Sequence, residues 1–335
     1  MKSGRRLNLL VLSLTVVVVS SGLSCCDEVV VDTNSTDAEM IAPGTYTESI
    51  THDDLMRTYR IYIPSSYDKT ESMPLLIALH GGGGTGEKME MLTQGGFNTI
   101  ADKDDFIVVY PDGTKFSGMI KTRWNDGRDE RFSQADDVGF ISALIEHLVQ
   151  TLNIDRSRVY ATGISNGAQM SMCLARELSD KIAAVAAVAY SMPEKLVSLP
   201  VSIKSIPVLV MTGTEDPLIP WEGGETPDPN DKRMLGRILS VPETVEVLVA
   251  HNQCSSTPMV TWEPDRDPQD DTRVRREVYG KGRGGSEVIL YIVEGGGHAW
   301  PGGYQYLSER IVGKASRDID ANEVIWDFFK RHEIK

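Results

Sequence analysis

Gly163-Ile164-Ser165-Asn166-Gly167 is the stretch that decides the fold, because strand-forming residues precede it at 158–162 and helix-forming residues follow it at 169–177. This setting is typical of a sharp strand-to-helix turn that holds a nucleophilic hydroxyl clear of the backbone. The two glycines leave room where a Cβ would collide with the turn. The pentapeptide therefore predicts Ser165 as a nucleophile. A chain with 30 glycines also forms this pattern by accident, so the rest of the sequence must support it.

A histidine is needed as general base, since a serine hydroxyl is a poor nucleophile at neutral pH. The six histidines are His52, His80, His147, His251, His298 and His332. Downstream of the serine, His298 alone lies in a glycine-dense segment, directly after an apolar run and Gly295-Gly296-Gly297. Such a flexible loop can carry an imidazole to the serine, and we assign His298 as the base. The alternative is a histidine that merely caps a loop.

An acidic residue should orient the imidazole, and in the order Ser, Asp, His it falls between the other two. Asp216 fits, because it lies on the turn that follows the apolar run 206–211. Glu215 is the immediate competitor. A third alternative is a solvated acidic turn with no catalytic role, which is ordinary in a chain this acidic.

The fourth element is an apolar strand that runs into His80-Gly81-Gly82-Gly83-Gly84. A glycine-rich backbone here can turn one amide toward a developing oxyanion, while the residue after the nucleophile supplies another. We assign these donors to Gly82 and Asn166, and we expect His80 to brace the loop. A phosphate-binding loop is disfavoured, because the required Lys and Ser/Thr are missing.

Together these elements resemble the polyhydroxybutyrate depolymerase and feruloyl esterase group of extracellular α/β-hydrolases. The matching segments are 60–64, 74–84, 109–113, 136–140, 155–167, 213–224 and 298–303. The resemblance implies the α/β-hydrolase fold, in which a mostly parallel central sheet carries helices on both faces. It also implies Ser165 as nucleophile, Asp216 as orienting carboxylate and His298 as base, and it favours Asp216 over Glu215. A triad of this kind requires no metal and no organic cofactor.

Two departures from the family pattern stand out. The residue after the elbow is Ala168, where the family usually has glycine. Members often carry a cysteine on the following helix and another in an Asn-x-Cys segment. Cys254 matches the second, but Cys173 lies about one helical turn early for the first, so a Cys173–Cys254 disulfide stays an open question.

Apolar runs of the kind found in parallel strands covered on both faces predict the sheet. They lie at 58–64, 75–79, 106–110, 159–163, 183–189, 208–212 and 288–293. Helices are predicted at 137–152, 169–177 and 319–331.

Residues 1–25 are predicted to be an export signal, because a basic region precedes an apolar run at 9–19 and a stretch of small residues. Cys25 or Cys26 is a candidate acceptor for a lipid anchor, and plain secretion is the alternative; both stay open. The polar, acidic residues 26–50 are predicted to be a tether. We therefore expect an extracellular, periplasmic or cell-surface protein whose membrane contact is limited to such an anchor.

Residues 51–335 are long enough for one large α/β catalytic domain, which we expect to be monomeric. The formal net charge of −14 argues against a nucleic-acid partner and against docking on anionic lipid. The expected partner is a small-molecule or polysaccharide-linked ester. With no polymer-binding module predicted, we expect soluble esters to be preferred over insoluble polymer.

Three tryptophans are candidate substrate-binding residues, because Trp124, Trp221 and Trp300 lie on predicted loops where a ring could stack on a sugar or aromatic acyl group. Packing in the interior is the alternative for each. The pair Asp136-Asp137 resembles a metal or acid/base couple, but it precedes a predicted helix, and we expect it to cap that helix.

The sequence thus predicts an exported serine esterase that acts on feruloyl or acetyl esters of plant cell-wall polysaccharide. The alternatives are a depolymerase of polyhydroxybutyrate or hydroxyalkanoate oligomers, a serine peptidase of the prolyl-oligopeptidase type, and a catalytically silent binding protein.

Overall fold

The structure is a computed structural model that describes residues 42–115, 122–128, 135–198, 204–227 and 234–335. The strands are β1 Gly44–His52, β2 Leu55–Ile63, β3 Met73–Leu79, β4 Ile107–Pro111, β5 Thr114–Lys115, β6 Thr122–Arg123, β7 Ile154–Ile164, β8 Ala184–Val188, β9 Val208–Gly213, β10 Gly224–Pro227, β11 Met234–Ile238, β12 Met259–Trp262, β13 Arg273–Tyr279 and β14 Val288–Glu294. The helices are α1 Gly86–Leu92, α2 Gly96–Asp104, α3 Asp137–Thr151, α4 Asn166–Glu177, α5 Glu194–Val197, α6 Val241–Asn252, α7 Glu309–Val312 and α8 Ala321–Phe329.

The main sheet has the strand order β1-β2-β4-β3-β7-β8-β9-β14-β13-β12. The strands from β4 to β14 in this order are parallel, whereas β1 and β2 on one side and β13 and β12 on the other pair antiparallel. The predicted mostly parallel sheet is therefore confirmed. The carboxyl ends of the parallel strands share one edge of the sheet, which we call the carboxyl edge, and their amino ends share the opposite, amino edge.

Helices cover both faces of this sheet, because its central strands are apolar at nearly every position. In β3 every residue is buried, with Leu75 and Ile77 facing one core and Leu76 and Ala78 the other. Helices α3, α4 and α6 pack on the first face, and α1, α2 and α8 on the second. The sheet is thus a rigid platform for the loops that leave its carboxyl edge.

Each predicted strand and helix is present, with shifts of a few residues at the ends. The predicted tether 26–50 is wrong at its end, since residues 44–50 belong to β1, which pairs with β2. Tyr46 and Ile50 pack there against the core, so this polar stretch has an apolar face after all. The predicted export signal and residues 26–41 of the predicted tether lie outside the described residues. Among the residues that are described, no helix is both long and apolar enough to cross a membrane.

Candidate active site

Ser165 lies on the sharp turn between β7 and α4, with φ 57° and ψ −118°. A non-glycine residue in this region is strained, by about 1–3 kcal/mol, and the surrounding structure must enforce it. The backbone of the loop after β3 packs so closely on this turn that only glycine fits on either side of Ser165. A Cβ on Gly163 would lie 2.6 Å from Leu79 O, and one on Gly167 would lie 2.6 Å from His80 O. The predicted elbow geometry is therefore present, and it forces the serine side chain out of the turn.

The loop after β3 lies directly beside this turn. A Cβ on Gly81 would lie 3.7 Å from Ser165 Cβ, and one on Gly82 would lie 3.9 Å from Asn166 Cβ. Within the described residues, neither the Gly82 amide nor the Asn166 amide donates a hydrogen bond. Asn166 begins α4, where the first N–H groups have no acceptor within the helix. Two amides without acceptors thus lie next to Ser165, as an oxyanion hole requires.

His298 and Asp216 form a buried hydrogen-bonded pair, with 2.7 Å between His298 Nδ1 and Asp216 Oδ2. The other carboxylate oxygen accepts from the backbone amides of Leu218 and Ile219, at 2.8 Å each, which fixes the orientation of Asp216. Glu215, the sequence competitor, is exposed. The structure thus brings Asp216, and not its neighbour, to the imidazole.

The backbone of the His298 loop is also held in place. The His298 and Gly297 amides donate to the carbonyls of Val312 and Lys314. Below the loop, a Cβ on Gly213 would lie 2.7 Å from Gly297 O, so the loops after β9 and β14 pack backbone to backbone. This close approach holds together the two loops that carry Asp216 and His298.

Ser165, Asp216 and His298 all follow parallel strands of the main sheet, and they therefore lie at its carboxyl edge. The hydroxyl of Ser165 has no hydrogen-bond partner among the described residues. Catalytic hydrogen bonds often tighten only when substrate binds, so this geometry is compatible with a triad. The structure joins His298 and Asp216 directly and holds Ser165 at the same edge of the sheet.

Asn166 has a second role, which the sequence did not reveal. Its side-chain Nδ2 donates to Asp126 Oδ2 at 2.6 Å, and its Oδ1 accepts from the Trp124 amide at 2.8 Å. Asp126 in turn pairs with Arg128 at 2.6 Å, and both are buried. Burial alone would raise the pKa of Asp126, but the charge and hydrogen bonds of Arg128 outweigh it and lower the pKa. A buried ionic network therefore fixes the side chain of Asn166, the residue that follows the serine and is predicted to donate to the oxyanion.

Tyr306 was also missed by the sequence analysis. Its hydroxyl donates to His298 O at 3.2 Å, and its pKa is raised by burial of the hydroxyl and by the nearby charge of Asp216. The phenol thus lies against the histidine–aspartate pair. No motif marks this residue in the sequence, because the contact depends on how the segment after the His298 loop folds back.

The structure corrects two of the three tryptophan predictions. Trp124 and Trp300 are 1% and 0% exposed, and their indole N–H groups donate to His80 O and to Asn322 Oδ1. Their rings are part of the interior and offer no face to a substrate, so the packing alternative holds for both. Trp221 is partly exposed at the edge of the core, and its role in substrate binding stays a prediction.

Two supporting predictions are confirmed, the second of them, helix capping, for Asp136 alone. His80 braces its loop, because its Nε2 accepts from the Gly113 amide at 2.9 Å and its Nδ1 contacts Gly81 O at 2.7 Å. Asp136 caps α3 by accepting from the Gly139 amide, while Asp137 is buried against Arg57 at 2.6 Å.

Cys173 and Cys254 are both free thiols, which answers the open question of a disulfide between them for this structure. In the described part of the chain, no group of three or more His, Cys, Asp or Glu residues is arranged to hold a metal ion.

Comparison with known proteins places the chain among esterases. The model of the family "Esterase PHB depolymerase" matches residues 57–207. The putative esterase NocK of Nocardia uniformis subsp. tsuyamanensis is 31% identical over 281 residues, which cover 81% of this chain and 78% of NocK. Feruloyl esterase B of Piromyces equi is 27% identical over 71% of this chain, but the match spans only 42% of that protein.

Two solved structures share the fold. A thermostable esterase has a TM-score of 0.54 and 15% identity, over 87% of this chain and 63% of its own. The acetyl xylan esterase from Aspergillus awamori has a TM-score of 0.51 and 16% identity, over 76% of this chain and 94% of its own. These likenesses confirm the predicted α/β-hydrolase fold. The extent of the NocK match shows that the chain belongs to the polyhydroxybutyrate depolymerase and feruloyl esterase family, and it is an enzyme that hydrolyses carboxylic esters.

Proposed function

We propose that the protein is an exported serine esterase that works through an acyl-enzyme, with Ser165, His298 and Asp216 as its catalytic triad. The observation that carries this proposal is the buried His298–Asp216 hydrogen bond at the same sheet edge as the strained Ser165 turn. Strain and buried polar pairs of this kind cost stability, and they persist where function requires them.

In the proposed mechanism, Ser165 Oγ attacks the ester carbonyl while His298 Nε2 takes its proton. Asp216 holds the imidazole with its proton on Nδ1 and stabilises the imidazolium. The amides of Gly82 and Asn166 donate to the oxyanion of the tetrahedral intermediate. The intermediate collapses to the acyl-enzyme as the protonated imidazole gives its proton to the leaving alcohol. Water, which gives its proton to the same histidine, then attacks the acyl-enzyme. The carboxylic acid leaves as the imidazolium returns the proton to Ser165 Oγ and restores the serine.

For the substrate we propose feruloyl or acetyl esters of plant cell-wall polysaccharide. Support comes from the names of similar proteins, which include feruloyl esterase B and a bifunctional acetylxylan esterase/xylanase of Neocallimastix patriciarum. The description of the matching family model favours a second candidate, the hydrolysis of hydroxyalkanoate esters. An extracellular, periplasmic or cell-surface location agrees with such substrates and with the export signal predicted at the amino terminus.

Labelling with a fluorophosphonate tests the mechanism, because this probe reacts only with an activated serine. We expect the wild type to be labelled and Ser165→Ala to lose both the label and several orders of magnitude in ester hydrolysis. Ser198→Ala, at an exposed serine away from the turn, is the matched control and should keep both. A folded Ser165→Ala variant within about tenfold of wild-type activity would exclude this serine as nucleophile.

A substrate panel separates the two candidates. Methyl ferulate and p-nitrophenyl acetate represent the cell-wall esters, and a hydroxybutyrate oligomer represents the polyester. A higher kcat/KM on the oligomer would replace the first candidate by the second while leaving the triad intact.

A further inference from the structure

A second cavity, of about 780 Å³, lies at the amino edge of the main sheet, opposite the edge that carries Ser165. It is lined by residues that directly precede β8, β9 and β14, including Ala183, Pro207 and Glu287. Its volume falls within the usual range of small-ligand sites, roughly 300–1,000 Å³. The esterase mechanism does not involve this cavity.

The lining of this cavity is strongly basic, although the chain as a whole carries a net charge of −14. Seven lysine and arginine residues line it, against the two glutamates Glu287 and Glu333. Part of this charge is compensated, because Lys330 pairs with Asp327 and Arg331 with Glu287. Lys281, Arg283 and Lys335 make no ion pair with any residue that the structure describes, so a positive potential remains.

Lys281 and Arg283 belong to a glycine-rich loop, Gly280-Lys281-Gly282-Arg283-Gly284-Gly285-Ser286. A Cβ on Gly285 would lie 3.6 Å from Lys335 Nζ, so that ammonium group lies against the loop backbone. The backbone turns through positive φ at Lys281 (60°) and Gly284 (67°). Along the described chain, the amides of Lys281, Arg283 and Gly284 donate no hydrogen bond. Cations and amide donors without acceptors therefore line the same cavity.

A further polar group lines the cavity, the hydroxyl of Ser205. It is buried and has no hydrogen-bond partner among the residues that the structure describes. Buried polar groups are normally satisfied, and one that is not calls for a ligand or an ordered water. Donors and positive charge without matching acceptors fit a ligand that supplies acceptors and negative charge.

We propose that this cavity binds a small polyanion, whose carboxylate or phosphate oxygens accept from the loop amides and pair with Lys281, Arg283 and Lys335. Several oxyanions on one ligand are required, because a single exposed ion pair contributes little to the free energy of binding. The proposal does not depend on the triad, since the two sites lie at opposite edges of the sheet.

Calorimetric titration of the intact protein with trigalacturonate and with inorganic tripolyphosphate tests the proposed polyanion site. We expect saturable binding of at least one probe, weakened as salt is raised from about 50 to about 300 mM, since salt screens such charges. The double variant Lys281→Glu/Arg283→Glu should weaken binding by roughly tenfold or more, because it replaces two attractions by two repulsions. Lys88→Glu/Lys103→Glu makes the same charge change at exposed sites on α1 and α2 and should bind within about twofold of wild type.

The two probes separate the sources of the oxyanions. Binding of trigalacturonate alone assigns the cavity to an acidic oligosaccharide, and binding of tripolyphosphate alone assigns it to a phosphorylated ligand. Hydrolysis of p-nitrophenyl acetate should be unchanged in both double variants, which shows that they are folded. The proposal is overturned if neither probe binds below about 10 mM, or if the control variant weakens binding as much as Lys281→Glu/Arg283→Glu does.

Discussion

His80 and His298 lie in loops at the same edge of the sheet and are almost equally buried, at 1% and 3% exposure, yet their surroundings differ in one respect. His298 Nδ1 faces the carboxylate of Asp216, whereas both ring nitrogens of His80 face backbone groups, the Gly113 amide and Gly81 O. Because the Gly113 amide donates to His80 Nε2, the proton of His80 is on Nδ1. Neither nitrogen of His80 is left to take a proton from a nucleophile.

The difference supports the proposed role of His298 as a base and of His80 as a brace. Burial disfavours the charged imidazolium, and it lowers the pKa of His80 to about 4. In the proposed mechanism His298 carries that charge briefly during attack, and Asp216 provides the negative charge that stabilises it. In the described structure His298 Nε2 makes no hydrogen bond, as the proposed acceptor of the Ser165 proton requires. The same residue type thus serves as a structural brace in one loop and as the proposed base in the other.

The largest expected effect comes from removing each histidine in turn. His298→Ala should lower kcat/KM for p-nitrophenyl acetate by about 10⁴-fold or more, since a triad member is lost. Folded His80→Asn protein should lose no more than about 100-fold in kcat/KM, because the substitution removes a brace and no reacting group. Steady-state kinetics, with circular dichroism to verify folding, would check this. Equal losses in the two folded variants would contradict the distinction.

A smaller effect is expected from the carboxylate that distinguishes the two loops. Asp216→Asn should lower kcat by about 10³ to 10⁴-fold, because an amide at this position favours the wrong tautomer and leaves the imidazolium unpaired. Glu215→Gln is the matched control, since it makes the same change at the adjacent exposed residue, and it should stay within about threefold of wild type. If Glu215→Gln lost more activity than Asp216→Asn, the orienting role would belong to Glu215.

Much of the central fold follows from local sequence. Strands such as β3 and β9 are near-continuous apolar runs, and their burial on both faces leaves few other structures open to them. The margins of the sheet were harder to predict. In β12 all four residues are exposed, and β13 is rich in arginine, so neither carries the apolar signal of a buried strand. They are strands because β14 provides an edge to pair with.

The same division applies to the site. Ser165, Asp216 and His298 carry local signals, namely glycines around a turn or a loop that follows an apolar strand. The Asn166–Asp126 hydrogen bond joins residues 40 positions apart, and no local pattern predicts such a contact. For Trp124 the local signal was misleading. Its position in a loop favoured exposure, but in the structure the ring is buried and contacts His80. Side-chain partners across the fold are set by packing, which a single sequence does not display.

The smallest expected effect concerns stability and tests the buried state of His80 directly. The pKa of His80 is lowered to about 4 by burial, whereas an unfolded histidine has a pKa of about 6.5. Between these values the unfolded chain binds a proton that the native protein does not, so lowering the pH through this window should destabilise the native state. The pKa shift corresponds to roughly 3 kcal/mol in the free energy of unfolding. The native protein loses this stability progressively as the pH falls from about 6.5 to about 4, and no more of it is lost below that.

Urea unfolding of wild type and His80→Asn at several pH values measures this contribution. Carboxylates that titrate in the same range affect both proteins alike, so the difference between their free energies of unfolding isolates His80. We expect this difference to shrink as the pH falls, because wild type alone pays the cost of keeping a neutral imidazole. Curves that stay parallel from pH 7 to pH 4 would show that His80 titrates normally. In the wild type, the NMR signals of the His80 ring provide an independent check, since they should not titrate above about pH 5.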